Sequence, residues 1–161
     1  MRTWRAEVVR RLAHPGLGFT QGLITDGTTI WESTGRYGQS ALCRYPLGTA
    51  RAEQCTALPA DLFGEGICRS GDVIWQLTWR ERVALRWDAR TLELTGRADA
   101  PAHPVVGHPG DPQAIMNGIA ALPESGEFLL TGKGWRWIRH VRLKPAREGS
   151  ARRRLLAGLS Y

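Results

Sequence analysis

Apolar and polar residues alternate along most of this chain in short runs that end at glycine, aspartate or serine, which is typical of β-strands. Many runs are paired around a tight turn, such as Asp26-Gly27 or Ser125-Gly126. The pattern therefore predicts an all-β fold. The predicted strands are residues 5–12, 23–24, 29–33, 40–45, 53–58, 67–69, 73–77, 82–87, 91–97, 119–122, 127–131 and 137–143.

One part of this pattern occurs three times. A polar residue precedes Gly-Leu or Gly-Ile, an apolar hairpin follows, and the copy closes on a threonine. The copies begin at Gln21, Glu65 and Asn117, and their glycines are 44 and 52 positions apart. A period of roughly 40–50 residues built from short strands is typical of β-propeller blades. We predict a propeller-like domain over residues 1–143 with about three recognisable blades, shortened internally near residues 98–113.

Equivalent positions of successive blades surround one axis, so the repeat predicts a site at one end of a central channel. The residues that it would bring together are Gln21, Glu65, Asn117, Arg36, Trp79 and Lys133. A carboxylate, two amides, an aromatic ring and an ammonium group at one place are typical of a binding or catalytic site.

Charge separates this body from the end of the chain. The net charge is +7, yet residues 1–132 hold 13 basic and 14 acidic residues, and residues 133–161 hold nine basic and one acidic. We interpret residues 144–161 as a solvated basic tail, because no aromatic residues for stacking on nucleic acid lie among its basic ones. No nucleic-acid or membrane partner is predicted, since no apolar run is long enough to span a bilayer.

The first twelve residues are Arg-rich and alternate between polar and apolar. They lack the continuous apolar segment of a secretory leader. We expect that the protein stays in the cytoplasm, or that a leader lies outside this chain.

Three cysteines, Cys43, Cys55 and Cys68, are too few for a disulfide framework. Cys43 and Cys55 lie symmetrically about a predicted turn, where they could face each other across two strands. Three reduced, half-buried thiols are nevertheless the default expectation. The histidines share no spacing or partner, so no zinc site is predicted and loop or surface roles are expected for His14, His103, His108 and His140.

Six motifs resemble the plant-type glutaminyl-peptide cyclotransferases in the order of that family. They are FTQGL at 19–23, WESTGRYGQS at 31–40, FGEGI at 63–67, QLTW at 76–79, NGIA at 117–120 and LTGKGW at 130–135. The resemblance, over residues 8–143, implies a five-bladed propeller that converts N-terminal glutamine of peptides to pyroglutamate and releases ammonia, without a metal or other cofactor. Family members carry GWG, NELE and NVW segments between the equivalents of Arg97 and Ala114. These are absent here, so about two blades are missing.

The resemblance also implies roles for single residues. It makes Glu65 the acid–base residue and Lys133 its catalytic neighbour. The substrate-binding residues that it implies are Phe19, Gln21, Phe63, Trp79 and Asn117. For Gln21 and Asn117 there is an equally good alternative to substrate binding, in which their side-chain amides form hydrogen bonds with backbone groups of the blades.

The chemistry supports Glu65 as a candidate. Cyclisation needs a base for the attacking α-amine and an acid for the departing ammonia, and one carboxylate with a raised pKa can serve as both in turn. The alternative for Glu65 is a carboxylate that caps a turn. Lys133 would pair with Glu65 or stabilise the oxyanion, or it is an ordinary surface lysine.

The predicted function is therefore that of a glutaminyl-peptide cyclotransferase acting on peptides or proteins with N-terminal glutamine. The alternative is a catalytically impaired, shortened propeller that binds peptides or serves as an assembly module. Three blades leave strand edges unpaired, so a homo-oligomer is a further expectation.

Overall fold

The computed structural model of this chain describes residues 3, 5–99, 115–135 and 138–144. Their regular structure is entirely β, in three antiparallel sheets. Over the same residues there is no helix long and apolar enough to cross a membrane. Most of the predicted interruption at residues 98–113, and all but the first residue of the tail at residues 144–161, lie outside the described residues.

Each sheet is a meander in which strands that follow one another in sequence are hydrogen-bonded neighbours. The first blade comprises β1 (Thr20–Asp26), β2 (Thr29–Thr34), β3 (Ala41–Pro46) and β4 (Gln54–Ala57). The middle blade comprises β5 (Gly64–Ser70), β6 (Val73–Thr78), β7 (Val83–Asp88) and β8 (Leu94–Asp99). The third blade comprises β9 (Met116–Leu122), β10 (Glu127–Gly132) and β11 (Arg139–Val141). The three predicted blades are thus confirmed as separate sheets.

The middle blade is buried on both faces because it lies between the other two. Side chains alternate across a strand, so neighbours on β6 face different blades. Ile74 packs with Trp31 of the first blade, whereas Leu77 packs with Phe128 of the third. The ring of Trp75 meets that of Phe128 edge-on, with 5.8 Å between centroids. This sandwiching explains why β6 is a nearly continuous apolar run.

Threonines close the second strand of each blade, and the structure gives a reason for two of them. The Thr34 hydroxyl accepts a hydrogen bond from the Ala41 N–H at 3.0 Å. The Thr78 hydroxyl does the same with the Val83 N–H at 3.0 Å. Each threonine therefore fastens the end of its strand to the start of the next.

The innermost strands of the blades approach each other so closely that glycine is required between them. A Cβ at Gly22 would lie 2.9 Å from the backbone nitrogen of Ile67, and one at Gly66 would lie 2.1 Å from the carbonyl oxygen of Asn117. Backbone atoms cannot move aside as a flexible side chain can. The glycines of the first two repeats thus let successive blades pack at the centre.

We expect Gly66→Ala to destabilise the fold by about 1–3 kcal/mol, because the added methyl group would force the middle and third blades apart. Urea unfolding followed by tryptophan fluorescence measures this loss. Gly96→Ala is the matched control, since a Cβ at Gly96 would meet only ordinary contacts with Arg86 at 3.9 Å. Equal losses in both variants would argue against a close approach of the blades at Gly66.

The predicted strand at residues 5–12 is wrong. This segment pairs with none of the described strands, and Val8 and Val9 are 75% and 95% exposed. Alternation produces a strand only where a free sheet edge accepts it. The chain is instead held against the first blade further on, where Leu17 packs beside Tyr45.

The cysteine expectation is wrong for two of the three residues. Cys43 on β3 and Cys55 on β4 are direct partners across the ladder, and their sulfur atoms form a disulfide. The possibility that the two face each other across a hairpin is therefore confirmed. Cys68 remains a free, buried thiol, and burial raises its pKa to about 12.

Candidate functional site

The three polar residues that begin the repeats all lie in β-bulges at the start of the innermost strands. The ladder skips Gln21 in β1, Glu65 with Gly66 in β5, and Asn117 in β9. A bulge leaves a residue without a direct partner and re-aims its side chain, and such irregularities are frequent beside active sites. The structure thus gives Gln21, Glu65 and Asn117 equivalent positions.

Glu65 is the most distinctive of these residues. It is only 4% exposed, and no hydrogen bond from another described residue reaches its carboxylate. Burial, followed by the nearby negative charge of Glu81, raises the pKa of Glu65 to about 7. A carboxyl group with this pKa can accept and donate a proton near neutral pH.

Four aromatic side chains pack against one another where β5 begins, and we call them the ring cluster: Phe19, Tyr37, Phe63 and Trp79. The centroid of Phe63 is 6.2 Å from Phe19, 5.5 Å from Tyr37 and 5.2 Å from Trp79, so Phe63 is the common neighbour. Phe63 is two residues before Glu65, just before the start of β5. The backbone of this segment therefore connects the ring cluster to the buried carboxylate.

The backbone repeats its geometry around these rings. The N–H of Gly35 donates to the carbonyl of Phe19 at 2.8 Å, and the N–H of Trp79 donates to the carbonyl of Phe63 at 3.0 Å. Trp79 is thus the middle-blade counterpart of Gly35. The glycine is needed in the first blade, because a Cβ there would lie 2.3 Å from the Phe63 ring and 3.0 Å from Cγ of Gln21.

The structure therefore brings five predicted site residues together between the first and middle blades: Phe19, Gln21, Phe63, Glu65 and Trp79. The other two belong to the third blade. The backbone of Asn117 lies against Gly66, and Asn117 is an exposed residue. Lys133 is exposed in the turn after β10, at the same end of its blade. The charge that acts on the pKa of Glu65 is that of Glu81, so a contact between Lys133 and Glu65 stays a prediction.

Sequence reasoning missed two residues of this site, Tyr37 and Glu81. The Tyr37 hydroxyl donates a hydrogen bond to Oε1 of Glu81 at 2.8 Å. Burial, together with this bond and the charge of Glu81, raises the pKa of Tyr37 to about 12. The two residues are 44 positions apart, the same offset as Gly22 and Gly66. Extending the repeat alignment by a few residues would have paired them.

Arginines lie over two rings at the rim of the site. The guanidinium carbon of Arg36 is 5.2 Å from the centroid of Phe19, and that of Arg80 is 4.0 Å from a ring centroid of Trp79. Both are arrangements in which a cation is attracted to an aromatic face. The expectation that Arg36 lies near the site is confirmed.

A second buried carboxylate, Glu32, lies in the first blade. Its side chain has no exposed surface and accepts hydrogen bonds from His14 at 2.9 Å, from Thr20 at 2.6 Å and from the hydroxyl of Tyr45. Burial alone would raise the pKa of Glu32, but these three hydrogen bonds and the charge on the imidazole outweigh it and hold the pKa below its usual range.

The expectation that the histidines lack partners is wrong for His14 and for His140, which contacts Glu127. His103 and His108 lie outside the described residues. Within the described part of the chain, His, Cys, Asp and Glu side chains do not gather in groups of three that could hold a metal ion.

Comparisons with known proteins point to one family. A family model described as glutamine cyclotransferase matches residues 1–104. The glutaminyl-peptide cyclotransferase of Arabidopsis thaliana is 36% identical over 87 residues, which are 53% of this chain and 27% of that protein. The chain thus spans about a quarter of the length of this relative.

Two solved structures are similar at lower identity. The glutaminyl cyclase of Myxococcus xanthus has a TM-score of 0.45 and 20% identity, with 84% of this chain and 95% of that chain covered. BamB from Moraxella catarrhalis has a TM-score of 0.40 and 17% identity, with 73% and 35% covered.

Proposed function

Because this chain belongs to the glutamine cyclotransferase family, we propose that it converts the N-terminal glutamine of peptides or proteins to pyroglutamate and releases ammonia. The observation that carries the proposal is Glu65, a buried carboxylate two residues after Phe63 of the ring cluster, with a pKa of about 7. This acidity suits a group that must gain and lose a proton in one cycle near neutral pH.

In the proposed reaction the α-nitrogen of the substrate attacks the γ-carbonyl carbon of its own glutamine side chain. Glu65 takes a proton from that nitrogen as the ring closes. It then gives the proton to the amide nitrogen, whose bond to the γ-carbon breaks as ammonia leaves. The carboxylate ends the cycle as it began, so no metal or organic cofactor is needed for the proton balance.

The remaining site residues bind and stabilise the substrate in this proposal. The glutamine side chain packs against the ring cluster, where Phe19, Phe63 and Trp79 offer apolar faces. The amides of Gln21 and Asn117 bind its polar groups. Lys133 stabilises the negative charge that develops on the γ-oxygen.

The test is ammonia release from a dipeptide amide that begins with glutamine. We expect one ammonia per peptide and a product with a blocked N-terminus in mass spectrometry. The N-acetylated peptide, which lacks the attacking amine, is the matched control and should release none. A chelator should leave the rate unchanged.

A protein that binds the glutamine peptide but releases no ammonia would support the alternative, a shortened propeller that binds peptides or serves in assembly. Absence of both binding and release would contradict both functions.

Peptides and proteins with N-terminal glutamine are the proposed partners, and neither nucleic acid nor a membrane is among them. We also propose that the protein forms homo-oligomers through unpaired strand edges of its blades, because such edges can pair with another chain. Analytical ultracentrifugation should detect dimers or larger species. A species that sediments as a monomer at high concentration would count against this proposal.

A further inference from the structure

We propose that Glu81, held in place by Tyr37, binds the α-ammonium group of the substrate peptide. This inference rests on the proposed function and deepens it, because it assigns a binding residue to the group that must attack. Glu81 is not among the residues that the sequence motifs single out.

The first support is that only one of the two carboxylate oxygens of Glu81 has a hydrogen-bond partner among the described residues. Oε1 accepts the Tyr37 hydroxyl at 2.8 Å, whereas Oε2 is shielded from water and has no hydrogen-bond partner among the described residues. A carboxylate oxygen that has lost water and gained no donor is destabilised, so it favours a ligand that can donate to it. An ammonium group carries three N–H donors and would supply the missing hydrogen bond.

The second support is the aromatic surroundings. Tyr37 donates to Glu81 and is in ring contact with Phe63 and Trp79, whose centroids are 5.5 and 6.3 Å away. Aromatic faces attract cations, and Arg80 already lies 4.0 Å above Trp79. A carboxylate at the edge of several rings is therefore a suitable place for a compact cation.

The third support is the way the site opens. Tyr37 is 46% exposed, so a peptide can reach the ring cluster from solvent at this residue. Its neighbours Arg36 and Gly38 have φ angles of 100° and 73°. A non-glycine residue with such a φ is strained, and strain of this kind is concentrated at binding and switching segments.

The arrangement divides the work between the two carboxylates. Glu65 is 4% exposed and has no hydrogen bond from a described residue, and the charge of Glu81 acts on it directly. In this proposal the ammonium group bound by Glu81 first loses one proton to water, and the resulting amine gives its next proton to Glu65 as the ring closes. Glu81 then acts as a positioning and binding residue, and Glu65 as the base.

The test measures binding without turnover. A tripeptide that begins with asparagine has the α-amine, but its side chain is one carbon too short to form the five-membered ring. Its binding is compared with that of the N-acetylated form by tryptophan fluorescence. We expect the wild-type protein to bind the free amine at least about tenfold more tightly, as a charged hydrogen bond predicts.

Glu81→Gln should bind the two forms equally, since its amide can still accept the Tyr37 hydrogen bond but carries no charge. The matched control is Glu93→Gln, which removes an exposed carboxylate from the same blade and should keep the wild-type preference. With the glutamine peptide, Glu81→Gln should raise KM about tenfold and change kcat much less. A role limited to anchoring Tyr37 would not remove the discrimination between free and acetylated amines.

A wild-type protein without preference for the free amine, or a Glu81→Gln variant that keeps the preference, overturns the inference. If Glu81→Gln does not fold, Glu81→Asp serves instead. Aspartate keeps the negative charge, but its shorter side chain holds that charge further from the ligand. The preference for the free amine over the acetylated form should therefore fall. The binding comparison remains readable even if the wild-type protein releases no ammonia, so failure of the inference and failure of the proposed function are distinguishable.

Discussion

Replacement of Glu65 by glutamine should lower ammonia release from a glutamine-initiated peptide by about 100-fold or more, and should raise the melting temperature at pH 8. The loss of activity follows because the amide cannot transfer a proton, a contribution typically worth 10²–10⁴-fold. The gain in stability follows because glutamine removes a buried negative charge that only the folded state must hold.

The pH dependence of both effects follows from the raised pKa. In the folded protein the pKa of Glu65 is about 7, against an ordinary value of 4.5, so the folded state holds this proton more tightly than the unfolded state. Stability due to Glu65 therefore falls as the pH rises from about 4.5 to about 7. The base form appears over the upper part of this range, so wild-type activity should rise with pH through about 7.

Melting temperatures of the wild-type protein and Glu65→Gln should agree at pH 4 and differ by a few degrees at pH 8. Glu93→Gln, an exposed change of the same chemistry, should affect neither activity nor stability. The other charged groups placed at the site are Glu81, Arg36 and Arg80. Ammonia release that survives in Glu65→Gln would remove this residue from the proposed mechanism.

Replacement of Glu32 by glutamine should destabilise the fold by about 3 kcal/mol at pH 7, the loss typical of a broken buried polar network. The carboxylate of Glu32 accepts hydrogen bonds from His14, Thr20 and Tyr45. A glutamine side chain has only one acceptor oxygen, and its NH₂ group would face donors. Urea unfolding at several pH values measures the effect.

The sign of the pH effect is opposite to that at Glu65. The pKa of Glu32 is lowered in the folded state, so its contribution to stability is complete above the ordinary value and is lost as the pH falls through the folded value. The difference between the wild-type protein and Glu32→Gln should therefore shrink at pH 3. Glu53→Gln is the control, because Glu53 is exposed and its nearest cation, Arg44, is 3.9 Å away. A loss that is the same at pH 3 and pH 7 would refute an ionic role for Glu32.

Much of the fold was readable from the sequence because each hairpin is local. Strands β1 and β2 follow from a glycine turn between two alternating runs, and their register depends only on residues close in sequence. The three-fold repeat then placed Gln21, Glu65 and Asn117 at equivalent positions. The structure has each of them in a bulge at the start of an innermost strand.

The parts that sequence reasoning missed depend on contacts between distant segments. His14 is 18 positions from Glu32, and neither residue belongs to a recognisable spacing. The Arg-rich segment at residues 5–12 alternates like a strand, but no described strand edge pairs with it. Tyr37 and Glu81 were missed although the repeat offset relates them, because their pairing becomes meaningful only when two blades pack together.

The sequence by itself determined most of the strands, the hairpins, the number of recognisable blades and the identity of Glu65 as a candidate base. These features depend on local alternation, on turn residues and on a motif, all of which are written along the chain. The tertiary structure alone decided how acidic that base is and what surrounds it. Burial between two blades and the charge of Glu81 set the pKa of Glu65, and only packing creates burial and brings two separate carboxylates together.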